Sequence, residues 1–338
     1  MTSTDQEKEV MFYQREGDRL HCLVCPQSCR IPEGATGLCR VRKHERGKLW
    51  AVNYGQVSSL HLDPIEKKPL YHFYPGSWIL SVGTIGCNLA CAFCQNWQIS
   101  QGTVPTSFLS PQQAVEAARR EPGNLGIAYT YNEPLMWYEW VYDTAPLVRA
   151  AGMKNVLVTN GFINERPLGQ LLPYIDAMNI DLKAMRPDFY RQVCRGRLEP
   201  VLAAIKQSVA AGVLVELTNL LIPGYNDGDE EIKSLVDWVA ALSPALPLHF
   251  SRYHPDYRFD APATPLETLQ RAYRLARDKL QFVYLGNVMG VGGEDTACPS
   301  CGETVIRRRG MAVTSIHLRE GRCPRCGNQL PVLTQEGE

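Results

Sequence analysis

The sequence predicts an α/β fold whose core is a partial (β/α)6-type TIM barrel, with a cysteine-rich segment before it and a zinc ribbon after it. Two observations support this prediction. From about residue 77, short apolar runs alternate with helix-like segments, which is the pattern of βαβ units around a parallel sheet buried on both faces. Each polar motif directly follows a predicted strand, and in barrels of this kind the loops after the strands carry the chemistry.

The strands of the sheet are predicted at residues 78–84, 125–129, 155–159, 177–182, 213–222, 246–253 and 282–285. Helices separate these strands. Ser110, followed by Pro111 and Gln113, predicts a helix start with a capping residue. Thr264 and Glu267 predict a second capping box.

Length and the distribution of cysteines divide the 338 residues into three predicted units. A chain of this length exceeds a typical single domain, and the cysteines cluster near both ends and in the middle. The predicted units are an N-terminal metal-binding segment with four cysteines (1–60), the barrel (61–290) and the zinc ribbon (291–338).

Charge and hydropathy limit the classes of function. The 35 basic and 35 acidic residues cancel, which argues against a nucleic-acid-binding protein, because such proteins usually carry excess Lys and Arg. The first ten residues are polar and do not look like a signal peptide, and no apolar stretch approaches the roughly 20 residues that cross a bilayer. We expect a cytoplasmic protein without membrane contact, whose twelve cysteines bind metals rather than form disulfides.

The central cysteines, Cys87, Cys91 and Cys94, have the spacing C-x3-C-x2-C. Three thiolates on one short loop can hold three irons of a [4Fe-4S] cluster and leave the fourth iron open to a small molecule. Zinc knuckles favour C-x2-C pairs and bacterial ferredoxins use C-x2-C-x2-C, so neither alternative fits this spacing well. With Phe93 before the third cysteine, the run resembles the signature of the radical S-adenosylmethionine (SAM) superfamily.

This resemblance implies two cofactors and a type of reaction. In that superfamily, SAM chelates the open iron through its amino and carboxylate groups, and the reduced cluster cleaves SAM to a 5′-deoxyadenosyl radical that abstracts hydrogen. The resemblance therefore implies a [4Fe-4S] cluster and SAM as cofactors, and a one-electron donor such as flavodoxin or ferredoxin as a partner. The task of the protein is then to orient the cofactors and to exclude water and oxygen.

Further motifs resemble those of the pyruvate formate-lyase activating enzymes. Glu133 matches the end of a GGEP motif, with Tyr131 and Asn132 in place of the glycines, and Val158 stands where those enzymes have a cation-binding Asp. The DLK motif at 181–183 implies a carboxylate for the SAM ammonium and an ammonium for the SAM carboxylate. The residues implied to contact SAM are Phe93, Asn132, Glu133, Thr159, Asn160, Asp181, Lys183, Leu220 and His254.

The chain also resembles, more specifically, the radical SAM component of the AmmeMemoRadiSam system. That group shares an N-terminal C-x2-C-P-x2-C stretch followed by G-x-C-x-V-R, present here at 22–29 and 37–42, and a YLGN sequence, present at 284–287. The resemblance implies Memo-like and Amme-type proteins as partners. It is compatible with a protein, a peptide or a small molecule as substrate.

The C-terminal cysteines form two C-P-x-C-G knuckles, Cys298 with Cys301 and Cys323 with Cys326. Two C-x2-C pairs at this distance are typical of a zinc ribbon. Iron in a rubredoxin-like site has the same ligands and is the alternative to zinc. The three arginines at 307–309 are expected to be solvated charges of this ribbon.

The N-terminal cysteines have the spacing C-x2-C-x3-C-x9-C and offer four thiolates within one small loop. They are Cys22, Cys25, Cys29 and Cys39. Zinc and an auxiliary [4Fe-4S] cluster both fit this set, with a slight preference for zinc. The isolated Cys194 is interpreted as a small hydrophobe on a helix, and a thiol positioned near the radical is the alternative.

Two classes of function are compatible with these patterns. The first is a radical SAM oxidoreductase resembling the activating enzymes, with a glycyl-radical-enzyme activase proper as its narrower form. The second is a zinc-ribbon binding scaffold on an inactive barrel. The presence of all three cluster cysteines together with Asp181, Lys183 and His254 favours the enzyme, because a degenerate scaffold is expected to lose some of them.

Overall fold

The computed structural model describes residues 8–334, so residues 1–7 of the predicted N-terminal segment and 335–338 of the predicted ribbon lie outside the described residues. Its centre is an eight-stranded sheet in which seven parallel strands lie in chain order. From one edge to the other, the strands are Ser59–Pro64, Trp78–Gly83, Asn124–Tyr129, Lys154–Thr159, Ala177–Asp181, Leu214–Leu221, Leu248–Arg252 and Val283–Gly286.

The parallel sheet confirms the predicted α/β fold. The strand Ser59–Pro64 was not predicted, and it pairs antiparallel with Trp78–Gly83. It forms one edge of the sheet and Val283–Gly286 forms the other, and these two edge strands do not pair with each other. The barrel is therefore open rather than closed.

Helices connect the parallel strands. The longer ones are Pro111–Arg120, Tyr138–Ala150, Glu165–Leu171, Leu198–Ala210, Asp229–Leu242 and Leu266–Arg277. Shorter helical segments are Ile65–Lys67, Trp97–Ser100, Pro134–Trp137, Leu172–Tyr174, Pro187–Phe189 and the π-helix Tyr190–Cys194. Between residues 8 and 334, no helix combines the length and apolar character that crossing a membrane requires.

One of the two predicted capping boxes forms. The amide of Gln113 donates to Ser110 Oγ at 3.2 Å, and the amide of Ser110 donates to Gln113 Oε1 at 2.9 Å. The predicted box at Thr264 is wrong, because its hydroxyl accepts from the amide of Tyr253 at 2.9 Å and donates to the carbonyl of Leu221 at 2.6 Å. These tertiary bonds replace the cap.

Short strands build the N-terminal segment, where the sequence suggested mainly turns. Two three-stranded antiparallel sheets and one two-stranded sheet are present. They consist of Lys8–Glu9, Lys48–Ala51 and Arg42–Glu45; of Tyr13–Glu16, Arg19–Cys22 and Arg30–Pro32; and of Gln56–Val57 with Ser107–Phe108. Buried side chains of this segment, including Val24 and Val41, belong to the same apolar core as the main sheet.

A small C-terminal sheet of Thr296–Ala297, Thr304–Arg309 and Ala312–Ile316 packs across the open side of the barrel. Its apolar core includes Tyr71 and Tyr284, which lie near the two edges of the main sheet. The expectation that arginines 307–309 are all solvated is wrong for Arg308, which is 7% exposed. Its Nη2 donates to the carbonyl of Tyr71 at 2.8 Å, and its Nε lies 3.5 Å from Glu66 Oε1. Arg308 therefore joins this small sheet to the barrel.

Candidate active site

The loops after the parallel strands enclose a cavity of about 560 Å³ at the carboxyl edge of the sheet. Cys87, Cys91 and Cys94 line it, and so do all the predicted SAM-contacting residues except His254. Those residues are Phe93, Asn132, Glu133, Thr159, Asn160, Asp181, Lys183 and Leu220. Separate motifs along the sequence thus converge on one site because the strands that precede them are parallel neighbours.

His254 lies outside this cavity. The strand ends at Arg252, and the next residue, Tyr253, turns its side chain into the core with 0% exposure. His254 then faces outward and is exposed. The structure therefore does not bring this histidine to the other predicted SAM contacts.

The cysteine loop begins at Gly86, which has a φ of +86°. A Cβ at this position would lie 2.6 Å from the carbonyl oxygen of Cys39, so only glycine fits this close approach. Burial raises the pKa of Cys87 well above its usual value. A hydrogen bond with the Cys194 thiol, supported by the charge of Lys183, lowers the pKa of Cys91. The thiols of Cys87, Cys91 and Cys94 all line the cavity. This donor set fits three irons of a cluster.

Cys194 lies on the side of the cysteine loop that faces away from the cavity. It ends the π-helix Tyr190–Cys194, is 0% exposed and does not line the cavity. Its thiol interacts with that of Cys91. Its position is that of a buried side chain packed against the cysteine loop.

Asn160 connects the third parallel strand to the cluster loop. Its Nδ2 lies 3.7 Å from Cys87 Sγ and donates to Asn88 Oδ1 at 2.9 Å. The next residue, Gly161, has a φ of +66°, and a Cβ there would lie 2.9 Å from Ile180 Cγ2. The turn therefore requires glycine, and it aims an amide donor at a cluster cysteine, where it can stabilise the thiolate.

Glu133 holds two strand ends together beneath the cavity. Its carboxylate accepts from Thr159 Oγ1 at 2.7 Å, from the amide of Asn160 at 2.8 Å and from the amide of Leu135 at 3.0 Å. Burial raises the pKa of Glu133 to about 7, and the hydrogen bonds oppose that shift. Its contacts are those of a residue that orders the loops, although it also lines the cavity.

Asp181 and Lys183 form an ion pair in the cavity wall, with Lys183 Nζ 2.9 Å from Asp181 Oδ2. Burial alone would lower the pKa of Lys183, but the negative charges of Asp181, Cys91 and Cys194 raise it well above its usual value. The lysine therefore remains charged. A ligand that carries both an ammonium and a carboxylate could exchange partners with this pair.

The two residues that replace the glycines of the GGEP motif have structural roles. Tyr131 has a φ of +72°, a conformation that favours glycine, and its hydroxyl donates to Asp63 Oδ2 at 2.5 Å. Asn132 accepts from the amide of Thr84 at 3.1 Å and donates to the carbonyl of Gly86 at 2.8 Å. Asn132 thus fixes the start of the cysteine loop.

Several cavity residues were not predicted. Lys67 and Lys68 follow the unpredicted edge strand, and Met311 comes from the turn of the C-terminal sheet. Lys68 Nζ lies 2.7 Å from Asp63 Oδ2, and burial lowers its pKa to about 8. The two adjacent lysines were the one sequence feature that could have suggested a functional role. Because the edge strand before them was not predicted, the sequence did not place them at the cavity.

The C-terminal cysteines form a compact potential metal site. Cys298 Sγ lies 3.6 Å from Cys326 Sγ, and Cys301 Sγ lies 3.6 Å from Cys323 Sγ. All four ligand atoms lie within 4.8 Å of one another. A tetrahedral ion with metal–sulfur bonds of about 2.3 Å requires sulfur separations close to these. This set could therefore hold one metal ion.

Comparison with known proteins places this geometry in a family. Residues 81–239 match the model of the Radical SAM superfamily. An uncharacterized protein from Methanocaldococcus jannaschii is 44% identical over 335 residues, which covers 96% of this chain and 99% of that protein. The pyruvate formate-lyase 1-activating enzyme of Escherichia coli K12 is 22% identical over 204 residues, 55% of this chain and 83% of the enzyme.

Solved structures agree on the fold. A radical SAM methyltransferase from Sphaerobacter thermophilus matches with a TM-score of 0.50 and 20% identity, covering 64% of this chain and 68% of that one. Streptococcus suis SuiB bound to S-adenosylmethionine matches with a TM-score of 0.50 and 15% identity, covering 64% of this chain and 49% of that one. The chain shares a family with the Methanocaldococcus jannaschii protein, contains a radical SAM domain at residues 81–239 and is an enzyme that uses radical chemistry.

Proposed function

We propose that Cys87, Cys91 and Cys94 bind a [4Fe-4S] cluster and that the adjoining cavity binds SAM, which the enzyme cleaves in order to abstract hydrogen from a protein or small-molecule substrate. The observation that carries the proposal is the convergence of the three thiols with the Asp181–Lys183 ion pair in one cavity. The family implies both cofactors.

When bound, the cluster would supply the electron that cleaves SAM, and cleaved SAM would supply the group that abstracts hydrogen from the substrate. The residues of the chain would orient this chemistry. Asp181 would accept from the SAM ammonium and Lys183 would donate to the SAM carboxylate, so the ion pair would be exchanged for two charge-assisted bonds. Asn160 donates toward Cys87, and Phe93 and Leu220 supply apolar cavity wall that excludes water.

Electron supply and partners follow from the family. Radical SAM activating enzymes generally take electrons from flavodoxin or ferredoxin, and we propose such a one-electron donor here. We further propose that the chain is the radical SAM component of an AmmeMemoRadiSam system, working with Memo-like and Amme-type proteins. The N-terminal cysteine run and the YLGN sequence, which resemble that group, support this assignment.

The proposal extends to the flanking units. Zinc is the metal proposed for the C-terminal set, because its sulfur separations suit one tetrahedral ion. The three-unit division at 1–60, 61–290 and 291–338 is retained as a proposal. A cytoplasmic location is also proposed, since a reducing compartment keeps metal-binding cysteines from forming disulfides.

A narrower candidate is a glycyl-radical-enzyme activase. The similarity to the activating enzyme from Escherichia coli, and to the 4-hydroxyphenylacetate decarboxylase activating enzyme of Clostridium scatologenes (28% identical over 117 residues), favours it. Transfer of deuterium from a labelled candidate partner into 5′-deoxyadenosine would separate a protein substrate from a small one.

The proposal is tested by purifying the chain without oxygen, reducing it with dithionite, adding SAM and measuring 5′-deoxyadenosine. The wild type is expected to form it, and Cys91→Ala is expected to form none while its C-terminal zinc remains bound. Cys194→Ala is the matched control, since it removes a neighbouring buried thiol that does not line the cavity. Cleavage that survives Cys91→Ala would show that the cluster assignment is wrong.

A further inference from the structure

The N-terminal cysteines surround a second enclosed space, separate from the SAM cavity. Cys22, Cys25, Cys29 and Cys39 line it together with Arg42 and Asn88. Three of the four thiols are nearly inaccessible, with 6%, 7% and 6% exposure at Cys22, Cys25 and Cys39. Four thiols that face one enclosed space are a donor set for a metal centre, which binds cysteines as thiolates.

The geometry of this set differs from that of the C-terminal set. Across residues 8–334, the C-terminal cysteines are the one group of three or more Cys, His, Asp or Glu ligands placed to hold a single metal ion, with all ligand atoms within 4.8 Å of one another. The N-terminal cysteines do not form such a compact group. A [4Fe-4S] cluster requires wider spacing, because each thiolate binds a different iron. The central cysteines are likewise outside the compact class.

Arg42 supplies an independent observation. It is 1% exposed and lines the space between the cysteines. Its Nη2 lies 2.8 Å from Glu139 Oε2, but its Nε and Nη1 have no hydrogen-bond partner among the residues that the structure describes. Leaving such donors buried and unpaired is costly. An anionic centre with sulfide acceptors would satisfy them, whereas a zinc ion enclosed by four thiolates offers fewer acceptors.

The two cysteine loops touch each other. Asn88 lines the N-terminal space, and its Oδ1 lies 3.9 Å from Cys87 Sγ. The carbonyl of Cys39 would lie 2.6 Å from a Cβ on Gly86, the residue before Cys87. Gln27 bridges the loops through a 2.8 Å bond to the carbonyl of Asn88. Direct packing of this kind gives electrons a short route between the two sites.

We infer that Cys22, Cys25, Cys29 and Cys39 bind an auxiliary [4Fe-4S] cluster that passes electrons to the cluster at Cys87, Cys91 and Cys94. Four thiolates saturate its four irons, so it binds no SAM. In each transfer the auxiliary cluster is oxidised by one electron and the central cluster is reduced by one. A low-potential flavin or iron–sulfur donor then restores the auxiliary cluster. The relay role rests on the function proposed above, whereas the metal assignment does not.

The metal assignment is tested in full-length Cys91→Ala, which lacks a ligand of the central cluster. After anaerobic reconstitution, this variant is expected to retain about four irons per chain, against about eight in the wild type. Its reduced cluster is expected to give an electron paramagnetic resonance signal that SAM does not change. A variant that retains no iron, with about two zinc ions per chain, would overturn the assignment. Neither outcome depends on SAM cleavage by the wild type.

The relay is tested by replacing both Cys22 and Cys25 with Ser in the full chain. The ratio of 5′-deoxyadenosine formed with reduced flavodoxin to that formed with dithionite is expected to fall by about tenfold or more, a change of about 1.4 kcal/mol per decade. The small reductant reaches the central cluster directly, so it acts as the internal reference. An unchanged ratio would overturn the relay. If the double variant does not fold, the iron count in Cys91→Ala still decides the metal assignment.

Discussion

The two flanking cysteine sets offer the same four thiols but differ in spacing and surroundings. The C-terminal knuckles end in Gly302 and Gly327, at φ of +75° and +73°, whose amides bond back to the first cysteine of each knuckle. The sulfurs of the four C-terminal cysteines converge near the surface, where Cys326 is exposed. The N-terminal thiols line a space in the core beside Arg42 and Asn88 and do not form such a compact group. Ligand type alone therefore does not choose the metal; the chain geometry does.

The largest expected effect comes from replacing Cys323 and Cys326 with Ser. A structural zinc site of this type can contribute roughly 10–16 kcal/mol to the folding of an isolated finger. We expect loss of about one zinc per chain, and rapid proteolysis confined to the C-terminal sheet. Metal analysis measures the zinc loss, and limited proteolysis measures the local unfolding. Replacement of Cys22 and Cys25 with Ser should instead remove iron. Loss of the same metal from both variants would contradict the proposal that the two cysteine sets bind different metals.

A smaller effect is expected at the junction between the C-terminal sheet and the barrel. Arg308→Met leaves Glu66 buried without its ion-pair partner, which typically costs about 3–5 kcal/mol. Arg307→Met on the same strand is the matched control, because Arg307 is exposed. Thermal melting should show a lower transition for the first variant alone. Equal melting of the two variants would mean that Arg308 does not hold the sheet in place.

Glu133 should make stability depend on pH. Its pKa is about 7 in the folded chain and about 4.5 in the unfolded chain. The folded state therefore holds its proton more tightly, so this contribution to stability is fully present below pH 4.5 and is lost as pH rises to about 7. Across this pH range, the contribution of Glu133 to the free energy of unfolding changes by about 3 kcal/mol. Melting of wild type and Glu133→Gln across this range should show the wild type losing stability relative to the variant; parallel curves would contradict the shift.

The smallest effect is expected for Asp181→Asn, which keeps the shape but removes the charge that we propose faces the SAM ammonium. Loss of a hydrogen bond to a charged group costs about 1.5–3 kcal/mol, or roughly tenfold to hundredfold in SAM affinity. Asp188→Asn, at an exposed position in the following helix, is the control. Equilibrium binding to the reconstituted protein measures both variants. Iron content should stay the same, which separates SAM binding from cluster binding at the central and N-terminal cysteine sets.

Much of the fold could be predicted because buried parallel strands produce short, mostly apolar runs, as at Trp78–Gly83. The edge strand Ser59–Pro64 was missed although its sequence alternates polar and apolar residues, because the alternating run is short and ends in proline. The short N-terminal strands depend on tertiary packing that no local pattern records. The position of Arg308 was hidden for a similar reason, since one buried arginine between two exposed ones carries no distinct signal.

The cavity positions of Asp181 and Asn160 could be anticipated because both residues lie at the carboxyl ends of neighbouring parallel strands. His254 does not line the cavity, because it lies two residues beyond the strand end and faces outward after Tyr253 has turned into the core. The sequence analysis missed Lys68 and Met311, which reach the cavity from elements outside the parallel sheet. Side chains contributed by packed neighbours cannot be located until the packing itself is known.

The most direct measurement is the electron paramagnetic resonance spectrum of the reduced, reconstituted wild type before and after SAM is added. A cluster held by Cys87, Cys91 and Cys94 has one open iron, so we expect SAM to change its signal in the wild type, and no SAM-dependent change in Cys91→Ala. A spectrum of the fully loaded wild type that SAM leaves unaltered would contradict the three-cysteine site on which the proposed function rests.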